Sequence, residues 1–193
     1  MYDPRHRDLV TNDRSTPASV LIPRFAPELA AGSVAGVWMV GMTDQHRVPR
    51  VARASREIAA STKRIFEFIA DPALQPRWDG NGNLAEAPAG QRIRNVGDVF
   101  IMKLTGDGAV RENHVVEFDE GRRIAWRPAE PGQQPPGHLW RWELKPIDES
   151  RTLVIHTYDW SQLTDEKRVA RARATTDGRL QASLDRLAAL VED

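Results

Sequence analysis

The stretch GHLWRWELKPIDESRTLVIHTYDW, residues 137–160, restricts the fold of this chain more than any other segment. Two runs around a turn at 148–150 alternate in character, as antiparallel strands do when one face is buried. Pairing them about that turn sets Trp142 opposite His156, Trp140 opposite Tyr158 and Leu144 near Val154. The alternate positions, Leu139, Arg141, Glu143 and Lys145 against Leu153, Ile155, Thr157 and Asp159, carry more charge. Only one set points inward, so the set holding the tryptophans, the histidine and the tyrosine is expected on a concave face.

The preceding residues supply more elements of the same kind. Val51–Ile58 reads as a strand, and Ser61 caps a helix whose apolar face is Ile65, Phe66, Phe68 and Ile69. Asp71 and Pro72 end that helix, because proline disfavours helical backbone in the residue before it. Residues 73–79 read as a second short helix, and Asn81, Gly82 and Asn83 as a loop. Gly106, Asp107 and Gly108 signal a hairpin between strands 98–105 and 109–119. Alternation there places Phe100, Met102 and Leu104 inward with Val110, Glu112, His114, Val116 and Phe118. A strand at 123–127 and a proline-rich loop at 128–136 follow.

Thr164 is expected to cap one long terminal helix reaching about Val191, with Asp165 and Glu166 in its first turn. Its seam is Val169, Arg173, Thr176, Leu180, Leu184, Leu187 and Val191, apolar in the later half and interrupted earlier by Arg173 and Thr176. Gly178 weakens such a helix by about 1 kcal/mol relative to alanine and allows a bend. A strand, two short helices, successive antiparallel strands and a long closing helix make an α+β arrangement in which helices cover one face of a curved sheet. A pocket is expected between that face and the closing helix.

At this point IAASTKRIFEFIADPALQPRWD (58–79), VVEFDEGRRIAW (115–126), ESRTLVIHTYDW (149–160) and the closing helix resemble the polyketide cyclase/dehydrase branch of the START and Bet v 1-like superfamily, also called SRPBCC. The resemblance covers about residues 50–193 and implies a helix-grip fold with a hydrophobic cavity. Relatives bind lipids, hormones or polyketides, and some cyclise or dehydrate them. Since one fold hosts many functions, the resemblance does not by itself make the chain an enzyme.

The inward set mixes apolar walls with polar groups that need hydrogen-bond partners or a ligand. His114, His156, Tyr158 and Arg173 are therefore the candidate catalytic residues for cofactor-free acid–base chemistry on a carbonyl compound, histidine because it titrates near neutrality. Trp78, Phe100, Met102, Glu112, Val116, Phe118, Trp126, Trp140, Trp142, Thr176 and Leu180 are the candidate ligand-binding residues. The rival readings are a carrier or sensor that binds a lipid or small signal unchanged, and a stress-associated regulatory protein acting through a macromolecular partner.

Other chemistries find little support. Lys plus Arg and Asp plus Glu are 27 each, so no global field attracts nucleic acid. Arg168, Arg171 and Arg179 form a basic stripe on the terminal helix, but acidic neighbours make it read as a solvated face. There is no cysteine, and the five histidines lack metal-ligand spacing, so neither a metal nor another cofactor is expected. The apolar run at 29–42 is too short to span a bilayer, and a cytoplasmic location is expected. Residues 1–48 show no sustained period and read as a disordered or loosely docked extension to a domain at 49–193, with Met39 and Met42 as alternative starts.

Overall fold

The computed structural model describes residues 50–192. The expectations for residues 1–48, including the starts at Met39 and Met42, lie outside the described residues. Seven antiparallel strands form one sheet in the order β1-β7-β6-β5-β4-β3-β2. They are β1 (Val51–Ile58), β2 (Leu84–Glu86), β3 (Val99–Leu104), β4 (Val110–Asp119), β5 (Arg123–Ala129), β6 (Leu139–Pro146) and β7 (Thr152–Asp159). The helices are α1 (Thr62–Ala70), α2 (Gln75–Trp78), α3 (Glu166–Ala172) and α4 (Asp177–Val191), with a 3-10 turn at Pro72–Leu74. This is the α+β arrangement expected from the order of elements and the helix-grip fold that the resemblance implies.

Local chemistry explains the first half. Ser61 caps α1 by accepting from the Arg64 amide, and Ile65, Phe66 and Ile69 are all buried on the face turned to the sheet. Asp71 ends α1 and uses its carboxylate to cap the following 3-10 turn through the Ala73 amide, 3.0 Å. The β6–β7 register agrees with the sequence reading at each pair: Trp140 faces Tyr158, Trp142 faces His156 and Leu144 faces Val154. That set is buried or half-buried against the helices, whereas Arg141 and Glu143 lie on the opposite side.

Four expectations need correction. In β4, Phe100 pairs with Asn113 and Met102 with Arg111, so Arg111, Asn113 and Val115 share the concave face. Val110, Glu112 and His114 lie on the other side. Val116 is the extra residue of a bulge between Val115 and Glu117, which resets the alternation so that Phe118 turns inward again. Counting back from Phe118 without the bulge inverts the phase of the rest of the strand.

Second, β5 continues through Pro128, placed in a loop by the sequence reading. β5 pairs with β6 only over residues 123–126, so Pro128 has β4 as its one ladder neighbour, an edge-like position that a strand proline tolerates. Third, the closing helix is two helices. Arg173 and Thr176 are exposed and the chain turns between them, with Thr176 in extended backbone at the start of α4. The break falls where the apolar seam is interrupted, ahead of Gly178. Fourth, Asp165, not Thr164, caps α3, accepting from the Lys167 and Arg168 amides.

The main core joins Ile65, Phe66 and Ile69 of α1 and Leu184, Leu187 and Val191 of α4 to Ile124, Trp142 and Val154 of the sheet. A second cluster, Tyr158, Trp160, Leu163, Val169, Ala172 and Leu180, closes the end near α3. Among the described residues no helix is long and apolar enough to cross a membrane.

Candidate functional site

A cavity of about 180 Å³ lies between the concave face, the α2 region and α3. Its aromatic walls are Trp78, Trp126, Trp140 and Trp142, with Met102 and Leu104 from β3. The tryptophans are held by one another and by their neighbours. Trp142 stacks on His156 at 3.7 Å between ring centres, Trp140 stacks on Tyr158 at 4.1 Å, and Trp78 meets Trp142 edge-on at 5.0 Å. The Trp78 indole N–H donates to the Phe68 carbonyl, 2.8 Å, which ties this wall to α1. Aromatic pairs of this kind gain about 1 kcal/mol beyond area burial, so the walls are ordered rather than fluid.

The polar lining is concentrated in two places. His156 is fully enclosed, its ring lies near the Leu180 backbone, and Nδ1 has no partner. In the Nε2–H tautomer the unpartnered Nδ1 offers a lone pair to a ligand donor. Burial holds its pKa down at about 3, so it is neutral near pH 7. His138, on the same parity as Trp140, also lines the cavity with an unpartnered Nδ1; burial, then the Arg168 and Arg111 charges, lower its pKa to about 4. Burial raises the Tyr158 phenol to about 12 and keeps it a proton-bearing donor. Two further lining residues carry enclosed polar atoms without partners, Asn81 at Oδ1 and Trp142 at Nε1.

The second polar place is the loop after α2. Asp79 is buried, and its carboxylate accepts from the Asn81, Asn83 and Leu84 amides at 3.0, 2.8 and 3.2 Å. Its backbone carbonyl accepts from Arg186 of α4. One carboxylate thus shapes the loop that forms this wall of the cavity. Asp79→Ala is expected to cost about 2 kcal/mol, because hydrogen bonds to a charged group are stronger than average. Hydrogen exchange at Asn83 and Leu84 should accelerate strongly in that variant, while protection of β6 and β7 is kept.

Of the residues expected at a site, Trp78, Met102, Trp126, Trp140, Trp142, His156 and Tyr158 line the cavity. Phe100 is core behind it, edge-on to Trp126 at 5.5 Å, and Phe118 packs on Phe66 in the main core. Leu180 is buried in the second cluster, behind the lining rather than in it. His114 and Glu112 sit together on the opposite face, 4.0 Å apart, for the reason of phase given above. Val116 occupies the bulge. Arg173 and Thr176 are exposed at the α3–α4 break, since the helix carrying them toward the sheet does not continue there.

The sequence reading missed His138, Arg111, Asn113, Asp79, Asn81, Arg168 and Arg171, all in the lining. His138 was within reach, being one more step of the 142, 140 alternation. Arg168 and Arg171 read from the sequence as a solvated face, because nothing in a helical repeat tells which residues rim a cavity.

Over residues 49–192 the sequence matches the family described as Polyketide cyclase / dehydrase and lipid transport. An uncharacterized protein of Mycobacterium tuberculosis is 30% identical over 113 residues, 58% of this chain and 47% of that relative. The chain thus spans about half the length of the curated relatives it matches. Among solved structures, a Chromobacterium violaceum protein superposes with a TM-score of 0.53 at 21% identity, covering 76% of this chain and 99% of that one. A Rhodobacter sphaeroides protein gives 0.53 at 19% identity, covering 73% and 91%. At such identities the likeness is one of fold.

Proposed function

Since this chain belongs to the polyketide cyclase/dehydrase and lipid transport family, we propose that it binds a small hydrophobic molecule in the cavity between the sheet and the α2 and α3 region. The observation that carries this reading is a cavity walled by four tryptophans whose lining residues hold several enclosed polar atoms without partners. Such atoms cost free energy while unpaired, and a bound molecule with hydrogen-bonding groups relieves that cost. Apolar walls with a few placed polar groups are the usual make-up of small-molecule sites.

Binding without conversion is the reading favoured over cyclisation or dehydration. A general base works best with a pKa near the working pH. His156 at about 3 and His138 at about 4 are weak bases, and Tyr158 at about 12 is a weak acid. Their better use is in orientation: Nδ1 of His156 accepts from a ligand hydroxyl, and the Tyr158 phenol donates to a ligand carbonyl. A cyclase or dehydratase role requires ligand binding to raise the His156 pKa toward neutrality, which is measurable by NMR titration of the complex.

Native mass spectrometry of gently purified protein, followed by denaturation and identification of released compounds, tests the reading. A bound apolar compound supports it. Bare protein that also takes up no fluorescent lipid probe overturns it. With a ligand in hand, His156→Phe is expected to weaken binding about tenfold through loss of a buried acceptor, while His114→Ala on the opposite face leaves affinity within about twofold. Equal effects of the two variants would place the ligand elsewhere.

A further inference from the structure

The solvent-facing part of the cavity lining is cationic, with Arg111 and Arg168 half-buried and Arg171 exposed. Arg111 of β4 and Arg168 and Arg171 of α3 all line the cavity, and Asp79 is the one carboxylate in the lining. Asp79 is already committed, both of its oxygens accepting backbone amides of the 81–84 loop. Arg168 is answered by Glu130 at 2.6 Å, with Asp165 at 3.9 Å. Among the described residues, neither Arg111 nor Arg171 has a carboxylate within ion-pair distance, and Arg111 donates only to the adjacent Val110 carbonyl, 2.8 Å. Two cationic groups are thus left without a counter-charge at the entrance to an aromatic cavity. His138 lies in the same lining, and after burial, the larger cause, the Arg168 and Arg111 charges also oppose its protonation.

The interior also limits size. An apolar cavity of about 150 Å³ accommodates a benzene molecule. The cavity here, about 180 Å³, suits one ring with a short chain and is too small for a fused multi-ring compound or a two-tailed lipid to be enclosed whole.

Resting on the reading that this cavity is a ligand site, we propose that its ligand is an amphiphilic oxyanion. An apolar body of about one ring sits against Trp126, Trp140 and Trp142, and a carboxylate or phosphate end is held at the mouth by Arg111 and Arg171. Guanidinium groups suit this task because they present paired N–H donors to two oxygens of one anion and stay charged at any physiological pH. The lining then does three things: the tryptophans select a flat apolar body, His156 and Tyr158 read its polar substituents, and the arginines set its orientation.

Isothermal titration of the full chain with three probes sharing one apolar body tests this: phenylpropionate, phenylpropanol and phenylpropyl phosphate. At low salt both anions are expected to bind about tenfold or more tighter than the alcohol, and the gap should narrow as salt is raised. Combined Arg111→Gln and Arg171→Gln substitution should abolish the preference for the anions over phenylpropanol. Arg168→Gln, whose charge is already answered by Glu130, should retain most of it. The better of the two anions distinguishes a carboxylate from a phosphate end. If phenylpropanol binds as tightly as the anions, or the double variant keeps the preference, the oxyanion assignment falls while the cavity remains a binding site. If none of the three binds, the cavity reading falls and the oxyanion assignment with it.

Discussion

Between about pH 7 and pH 5 this protein is expected to lose on the order of 4 kcal/mol of folding stability, a large share of the roughly 5–15 kcal/mol typical of a domain. The cause is the pair of enclosed imidazoles. In the unfolded chain histidine titrates near 6.5, but burial holds His156 at about 3, and burial with the Arg168 and Arg111 charges holds His138 at about 4. As the pH falls below about 6.5 the unfolded chain takes up two protons that the native state refuses, and the equilibrium shifts toward unfolding. The contribution is fully present above that pH and declines until the native values are reached. Carboxylates held low by their partners, such as Glu67 through its hydrogen bonds with Arg92, change the balance at more acid pH, so this window isolates the imidazoles. Urea unfolding midpoints measured across it should fall steadily. His156→Gln should lose about half of the slope. A flat profile in the native protein would show that both rings are open to solvent protons, and would remove the lone-pair acceptor from the ligand site.

The second large effect concerns Gly80. Its amide donates to Ser183 Oγ of α4 at 2.8 Å, and the chain lies directly on the helix. A methyl group at this position would meet the Arg179 carbonyl oxygen and the Ser183 backbone nitrogen well inside contact distance, and Ser183 Oγ at 2.8 Å. Two of those three are helix backbone and cannot swing aside, so α4 itself would have to move. Its Leu184 and Leu187 would leave their packing in the main core, and Arg186 would lose the Asp79 carbonyl. Gly80→Ala is therefore expected to destabilise by about 3 kcal/mol or more. Gly82, two residues on, provides the contrast: its φ is +65° but an added methyl meets nothing within 4 Å. Gly82→Ala should cost only about 1 kcal/mol, from backbone conformation alone. Comparable losses at the two positions would mean that the loop does not press on α4.

Both effects arise from contacts distant in sequence, and they mark what could be read before the structure. The β6–β7 register was legible pair by pair, because a short turn leaves little freedom and one wrong step would turn Trp142 and His156 outward. The cap at Ser61 and the stop at Asp71 and Pro72 were legible for the same reason: a few adjacent residues determine them. The phase of β4 was not, since the Val115–Glu117 bulge is paired against Trp126 and Ala125, a relation that alternation in one strand does not carry. This single irregularity removed His114 and Glu112 from the candidate site and brought in Arg111 and Asn113.

By itself, then, the sequence determined the α+β order of elements and the concave aromatic set on β6 and β7, because period, caps and turn residues act over a few positions, while the helix-grip fold came from the family resemblance. Beyond His156 and Tyr158, tertiary structure decided which polar groups surround the cavity. Asp79, His138, Arg111 and Arg171 come from four separate segments, and the energies that place them depend on who meets whom across the fold. Burial and unanswered charge are properties of that meeting, and no local pattern encodes them.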